Sequence, residues 1–178
     1  MQAMCAYTDS AHPARPEGLT LRHMEARDLD FLCALYVSTR AAELAPVPWP
    51  DAAKLSFLQD QFAKQHDHYQ RNYPGAHFWV IERNFSPVGR VYVYRSPGEI
   101  RLMDLALLVH LRGQGLGSGL LAELIHESER SAANITLHVE AENPAMGWYL
   151  RRGFERLEDR GVYQFLSRAP VSRMHGAT

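Results

Sequence analysis

The chain has 178 residues, of which 46% are hydrophobic and 22% are charged, which is ordinary usage for one globular domain with a substantial core. The formal net charge is −1, from 19 basic and 20 acidic residues, so no global field attracts nucleic acid or an anionic membrane. The sequence contains no apolar run of membrane-spanning length and does not begin with a secretory signal pattern. We therefore expect a cytoplasmic protein that binds neither nucleic acid nor membrane.

Both ends of the chain lack any periodic pattern. We expect residues 1–17 to be a flexible leader and residues 169–178 a flexible tail around one domain, residues 18–168. The cysteines are Cys5, in the leader, and Cys33, on an apolar helical face. Two unrelated thiols match neither a disulfide framework nor a zinc site, and Cys33 is predicted to be a small core residue.

The first part of the domain is predicted to hold one strand and two helices. A short strand covers residues 19–25, and helical spacing begins at residue 29, with Asp28 as a candidate cap. Three prolines, Pro46, Pro48 and Pro50, end that helical region. A second helix is expected over residues 51–69, with Leu55, Leu58 and Phe62 on one face.

Strand patterns follow the helices. Residues 77–82 and 88–95 are predicted to form a hairpin, and the second strand alternates, with valines on one face and tyrosines on the other. The long apolar run over residues 99–109 is typical of a central strand buried on both faces.

The last part of the domain alternates between helices and strands. Helices are predicted up to residue 131 and over residues 143–152, with a strand over residues 134–140 between them. Two short strands, residues 154–157 and 162–166, close the domain. The order predicts an α/β fold with a mixed, mostly antiparallel sheet of about seven strands and about four helices.

The strongest local signal is a glycine-rich turn over residues 112–119, directly after the long apolar strand and before a helix. Glycines let the backbone approach a ligand, and a helix start leaves N–H groups unpaired, so the turn predicts a phosphate or pyrophosphate site. A tight strand–helix connection alone would not need four glycines. The turn lacks the lysine of a Walker loop, and neither frame gives the dinucleotide spacing Gly-x-Gly-x-x-Gly.

The spacing that fits is Arg112-x-x-Gly115-x-Gly117. A second motif begins at Asn143 and ends in Tyr149-x-x-x-Gly-Phe. In these two motifs the sequence resembles the GNAT superfamily of acetyl-CoA-dependent N-acetyltransferases, and the resemblance covers roughly residues 19–167. Many members have proline at the position of Val109, which is a detail of turn shape.

The resemblance implies acetyl-CoA as co-substrate, no metal, and direct transfer of the acetyl group to a primary amine. It assigns the main chain of Ala106 and Leu107, together with Asn143, to the pantetheine arm. It also assigns Tyr149 as the general acid at the thioester sulfur, since a phenol is protonated at neutral pH. The pyrophosphate would lie on the motif that begins with Arg112 and Gly113, held by the amides of Gln114, Gly115, Gly117 and Ser118.

Asp104 is the candidate general base. It lies in the apolar strand just before Ala106, and a carboxylate desolvated there would suit proton abstraction. The alternative is a structural carboxylate paired with Arg101 or Arg90. His110 and His138 are weaker candidates for the base, and His66-Asp67-His68 does not predict a metal site because residues i and i+2 of a helix point apart.

Two other functions fit the same motifs: a non-catalytic acyl-CoA-binding or sensor domain, and an interaction protein with a vestigial turn. The acceptor would be a small-molecule or peptide amine. Residues 40–73 would form much of its wall, and their acidic side chains favour a cationic amine. Members of the family often form dimers, so a homodimer is compatible with the resemblance. The acidic residues of the expected acceptor wall are Glu43, Asp51, Asp60 and Asp67, and Trp49 lies among them.

Overall fold

The structure, a computed structural model, describes residues 18–171. Residues 1–17 and 172–178, and with them Cys5 and most of the predicted leader and tail, lie outside the described residues. No helix of the described part is long and apolar enough to cross a membrane.

Strands and helices follow one another in the predicted order. The strands are β1 (Leu19–His23), β2 (His77–Arg83), β3 (Ser86–Ser96), β4 (Glu99–Leu107), β5 (Asn134–Glu140), β6 (Glu155–Arg160) and β7 (Tyr163–Arg168). The α-helices are α1 (Leu29–Arg40), α2 (Asp51–Asn72), α3 (Leu116–Ser131) and α4 (Ala145–Leu150). Asp28 does not cap α1: its carboxylate accepts hydrogen bonds from the Glu25 amide and the Arg22 guanidinium.

The strands form one sheet in the order β1-β2-β3-β4-β5-β7-β6. Every neighbouring pair is antiparallel except β4 and β5, which are parallel because α3 carries the chain from the end of one to the start of the other. The predicted α/β fold with a mixed, mostly antiparallel sheet is confirmed.

Each face of the sheet carries its own helices and its own apolar cluster. On one face, α3 and α4 pack on residues such as Val91, Val93 and Leu107. On the other face, α1 and α2 enclose a smaller cluster of Leu32, Tyr36, Leu58, Phe62 and Val80. The alternation of β3 thus separates its valines from its tyrosines, as predicted.

The strand β4 differs from the prediction in its length and burial. It ends at Leu107, and a 3₁₀ turn covers Val109–Leu111. Its partner β5 is paired with it only from Glu99 to Arg101, after which the two strands separate. The second half of β4 is therefore half-buried rather than covered on both faces.

Candidate active site

The separation of β4 from β5 leaves a free strand edge in the middle of the sheet. From residue 102 to residue 107, β4 is hydrogen-bonded to β3 on one side and has no strand partner on the other among residues 18–171. Ala106 and Leu107 lie on this edge, at the end that leads to the glycine-rich turn. An extended, amide-containing ligand can pair with such an edge as an added strand.

A β-bulge lies beside this edge. The register between β3 and β4 shifts so that Tyr92 faces Asp104 and Val93 faces Leu102, which makes Met103 the extra residue. The Met103 carbonyl accepts a hydrogen bond from the Tyr69 hydroxyl of α2 (3.3 Å). The bulge directs Asp104 to the face of the sheet that carries α1 and α2.

The glycine-rich turn has the geometry of an anion site. Gly113 and Gly115 have φ values of 74° and 82°, in the left-handed region that other residues rarely adopt. The first amide with an intrahelical partner is that of Gly119, which donates to the Gly115 carbonyl (3.0 Å). Within the described chain, no amide of residues 113–118 donates to a protein acceptor. These free N–H groups and the helix dipole favour a phosphate group.

Several cations surround the turn. The Arg152 guanidinium donates to the Ser118 hydroxyl (2.7 Å) and lies over the Trp148 ring at 4.3 Å, so it links α4 to the first turn of α3. Arg112 donates to the Leu107 carbonyl (3.1 Å), and Arg83 to the side chain of Gln114 (3.2 Å). Their charges add to the field of the unpaired amides.

Asn143 has a structural contact that the sequence did not predict. Its side-chain oxygen accepts a hydrogen bond from the Ala145 amide (2.8 Å) and so begins α4. Its NH₂ group has no partner among the described residues, so the predicted contact with a pantetheine arm would use that group.

Tyr149 lies at the inner side of α4, buried against Trp148 and Phe154. No partner for its hydroxyl is found in the part of the chain that the structure describes. Burial, and to a smaller extent the charge of Asp104, raise the pKa of the phenol above its ordinary value. Tyr149 therefore stays protonated at neutral pH.

The expectation that Asp104 lies in purely apolar surroundings is wrong. Its carboxylate accepts a hydrogen bond from the Arg90 guanidinium (2.5 Å), because the bulge directs it to the face where Arg90 stands. Arg90 is 3% exposed and also donates to Gln65 (3.0 Å). Arg101, the other partner considered, pairs with Glu99.

The comparisons with known proteins fit this geometry. Residues 74–156 match the family model described as acetyltransferase (GNAT) domain. This range includes the bulged strand, the glycine-rich turn and Tyr149. Residues 74–156 thus form a GNAT domain, and the resemblance to the GNAT superfamily is confirmed. The prediction of a GNAT-type N-acetyltransferase is thereby confirmed. A comparison with curated protein sequences gave no significant match.

Solved structures agree in fold. The N-acetyltransferase PaiA of Thermoplasma acidophilum, solved in complex with coenzyme A, has a TM-score of 0.66 at 16% identity, over 85% of this chain and 98% of its own. An acetyltransferase of Thermus thermophilus has a TM-score of 0.62 at 18% identity, over 89% and 99%. The ribosomal-protein-S18-alanine N-acetyltransferase of Escherichia coli has a TM-score of 0.56 at 20% identity, over 90% and 99%.

On the opposite side of the sheet from the glycine-rich turn, the protein has an open cavity of about 390 Å³. It is lined by α1, the 3₁₀ turn Ala41–Leu44, α2, and Tyr163 at the start of β7. Gln65 lines the cavity and accepts a hydrogen bond from Arg90, which in turn binds Asp104. The cavity therefore approaches the free strand edge from the face opposite the anion site.

The predicted acidic wall is not found at this cavity. Of the positions that predicted it, only Glu43 lines the cavity, alongside Arg40 and Lys64. Asp60 and Asp67 are paired with Lys64 and Arg71, one helical turn further along α2. Acidic residues spaced four positions before basic ones stabilise an exposed helix face, and this explains their presence.

Of the remaining sequence candidates, His110 adjoins the glycine-rich turn, where its carbonyl accepts a hydrogen bond from the Gln114 side chain (2.9 Å), and Cys33 and His138 make other contacts. Cys33 is half-buried against the smaller apolar cluster, and burial raises the pKa of its thiol. His110 is exposed in the turn after β4, and His138 is exposed on β5 against Phe165. Among the described residues, no group of three or more His, Cys, Asp or Glu side chains could hold a metal ion.

Sequence reasoning considered Arg90 only as a partner for Asp104 and missed its place in the site. The guanidinium lies within 6 Å of the ring centroids of Tyr36, Phe62 and Tyr92, and its Nε is buried without a hydrogen-bond partner in the described chain. The signal was present: Arg90 falls on the tyrosine face of an otherwise apolar strand, where a charge needs a partner. No sequence pattern indicated the bulge at Met103.

Proposed function

We propose that this protein transfers an acetyl group from acetyl-CoA to a primary amine, by direct attack of the amine on the thioester. One observation carries the proposal. The free edge of β4 runs from the unpaired amides of residues 113–118 to Asp104, whose partner Arg90 contacts Gln65 in the wall of the cavity on the other face. A donor and an acceptor can thus approach one point from opposite sides of the sheet.

The residues present fit the donor. The free amides of residues 113–118, with Arg112 and Arg152 nearby, suit a pyrophosphate. The edge at Ala106 and Leu107 suits the two amides of a pantetheine arm. We assign the NH₂ group of Asn143 to the same arm. The coenzyme A bound to PaiA is a property of that protein, and here it supports the assignment.

The chemistry of transfer uses two further groups, the Tyr149 phenol and a base. The acceptor nitrogen attacks the thioester carbonyl, a C–N bond forms and the C–S bond breaks. Tyr149 supplies a proton to the departing sulfur, since its raised pKa keeps the phenol protonated. The proton that the amine loses passes to a base, and no covalent enzyme intermediate is required.

Asp104 is our proposed base, held in position by Arg90. Asp104→Asn retains a hydrogen-bond acceptor for Arg90 but removes the basic oxygen. We expect this variant to lose at least about 100-fold in kcat while binding coenzyme A with unchanged affinity. An unchanged kcat would transfer the role of base to a water molecule or to another residue.

Thermal unfolding with three ligands tests the proposal. Acetyl-CoA and coenzyme A at 100 times their dissociation constants should stabilise the protein by about 2.7 kcal/mol, and NAD should have no effect. Release of free thiol from acetyl-CoA in the presence of amines then tests transfer. Stabilisation without any thiol release would indicate a sensor domain, and no stabilisation would refute the assignment of the glycine-rich turn.

A further inference from the structure

From the walls of the cavity we infer the class of acceptor: a monoamine whose body is aromatic and uncharged. The inference rests on the proposed function, because it treats the cavity as the acceptor site. It replaces the cationic acceptor that the acidic residues of the sequence favoured, and it depends on three observations.

The first observation is an aromatic collar at the cavity mouth, formed by Trp49, Phe57 and Tyr163. Phe57 and Tyr163 line the cavity and are nevertheless 39% and 45% exposed. Trp49 meets the Phe57 ring edge-on at 5.6 Å and is 47% exposed. Exposed aromatic rings that continue into a cavity mark a binding surface for an apolar or aromatic body.

The second observation is that cations outnumber carboxylates among the side chains that line the cavity. Arg40 and Lys64 line it, and Glu43 is the only carboxylate that does so among the described residues. Arg40 contacts Glu43 and Glu140, and Lys64 is paired with Asp60. A second cationic group on the acceptor would meet an excess of positive charge at the wall. Polyamines and aminoglycosides therefore fit this wall poorly.

The third observation concerns the inner end of the cavity. The Tyr36 ring and the Gln65 side chain line it, and both contact Arg90, the partner of Asp104. This side of the cavity is therefore the one that leads toward Asp104 through Arg90. An arylalkylamine would place its amine on this side and its ring against Phe57 of the collar.

The test compares four amines in the thiol-release assay with acetyl-CoA and the full-length protein. Phenethylamine represents the inferred class, and hexylamine replaces the ring by an aliphatic body. Agmatine carries a second cation, and ethanolamine lacks a body that could reach the collar. We expect kcat/KM for phenethylamine to exceed that for agmatine by at least about tenfold.

Variants then locate the preference at the collar. Phe57→Ala should raise KM for phenethylamine about tenfold with little change in kcat, and it should leave kcat/KM for ethanolamine unchanged. Leu55→Ala is the matched control, because Leu55 lies on the same helix at 46% exposure and does not line the cavity. We expect it to change no kinetic constant.

The outcomes separate this inference from the proposed function. A preference for agmatine, or an equal effect of Phe57→Ala on all four amines, would overturn the acceptor class and leave acetyl transfer intact. Thiol release with none of the amines, despite stabilisation by coenzyme A, would count against both.

Discussion

Tyr149 belongs to the larger apolar cluster of the core, and the charge of Asp104 acts on its phenol. Replacement by phenylalanine keeps the ring packing against Phe154 and removes only the proton donor. We expect Tyr149→Phe to lower kcat by about 100-fold or more and to leave the affinity for coenzyme A unchanged.

The raised pKa of Tyr149 makes the expected effect of Tyr149→Phe independent of pH over a wide range. A general acid acts while it is protonated, so activity would be lost through Tyr149 only above its pKa, which lies above the ordinary value of about 10. The ratio of wild-type to variant kcat should therefore be constant from about pH 7 to pH 10. A ratio that falls within that range would contradict the role of Tyr149 as acid.

The ion pair between Arg90 and Asp104 gives a prediction about stability at the scale of single residues. Arg90→Met should lower the free energy of unfolding by about 3 kcal/mol or more, because the Asp104 carboxylate loses its partner. The double variant Arg90→Met with Asp104→Leu should recover most of that loss. Urea unfolding of both variants gives the comparison, and equal destabilisation of the two would mean that the pair is not coupled.

At the scale of elements, the start of α3 determines the anion site. Gly115→Ala forces a side chain into the left-handed region, at a cost of about 1–2 kcal/mol, and should weaken the binding of coenzyme A because the amides of the turn move. Gly117→Ala is the matched control: its Cβ would lie 3.8 Å from Leu107, an ordinary contact, and a helical alanine is favoured.

Urea unfolding and coenzyme A titration of these two glycine variants separate backbone strain from side-chain bulk. Gly115→Ala should lose both stability and affinity, while Gly117→Ala should keep the affinity and unfold at an equal or higher urea concentration. Equal loss of affinity in the two variants would show that bulk near the phosphates, and not the conformation of Gly115, is decisive.

The same elements explain what the sequence could predict. Period-2 alternation identified β3 and β5, since each strand carries distinct residues on its two faces, and apolar and aromatic content identified β2. The glycines of the turn identified the start of α3, because positive φ values limit the choice of residue. The end of β4 was missed: its apolar residues continue past Leu107 into a 3₁₀ turn, and hydrophobicity does not distinguish the two.

The side-chain contacts within the site were harder to predict from the sequence than the location of the site in the chain. Asp104 was predicted as the base, with Arg90 or Arg101 as its possible partner, and the choice of Arg90 depends on a bulge that no residue type signals. The acidic wall failed for a related reason. The prediction rested on the number of carboxylates in α2. Asp60 and Asp67 are neutralised on the exposed face of the helix, because they are paired with Lys64 and Arg71.

At the scale of the whole molecule, the sheet separates the anion site from the cavity. The α3 and α4 face carries the anion site, the α1 and α2 face carries the cavity, and β4 and β5 separate where the two meet. Direct transfer depends on this arrangement, because both substrates must be bound together.

A single reaction tests that account most directly. The protein is mixed with acetyl-CoA and phenethylamine, and the amine, the free thiol and the intact protein are analysed by mass spectrometry at successive times. The account predicts acetylated amine and free thiol in equal amounts, with the protein unmodified throughout. Free thiol without acetylated amine, or an acetyl group that appears on the protein before the product, would contradict it.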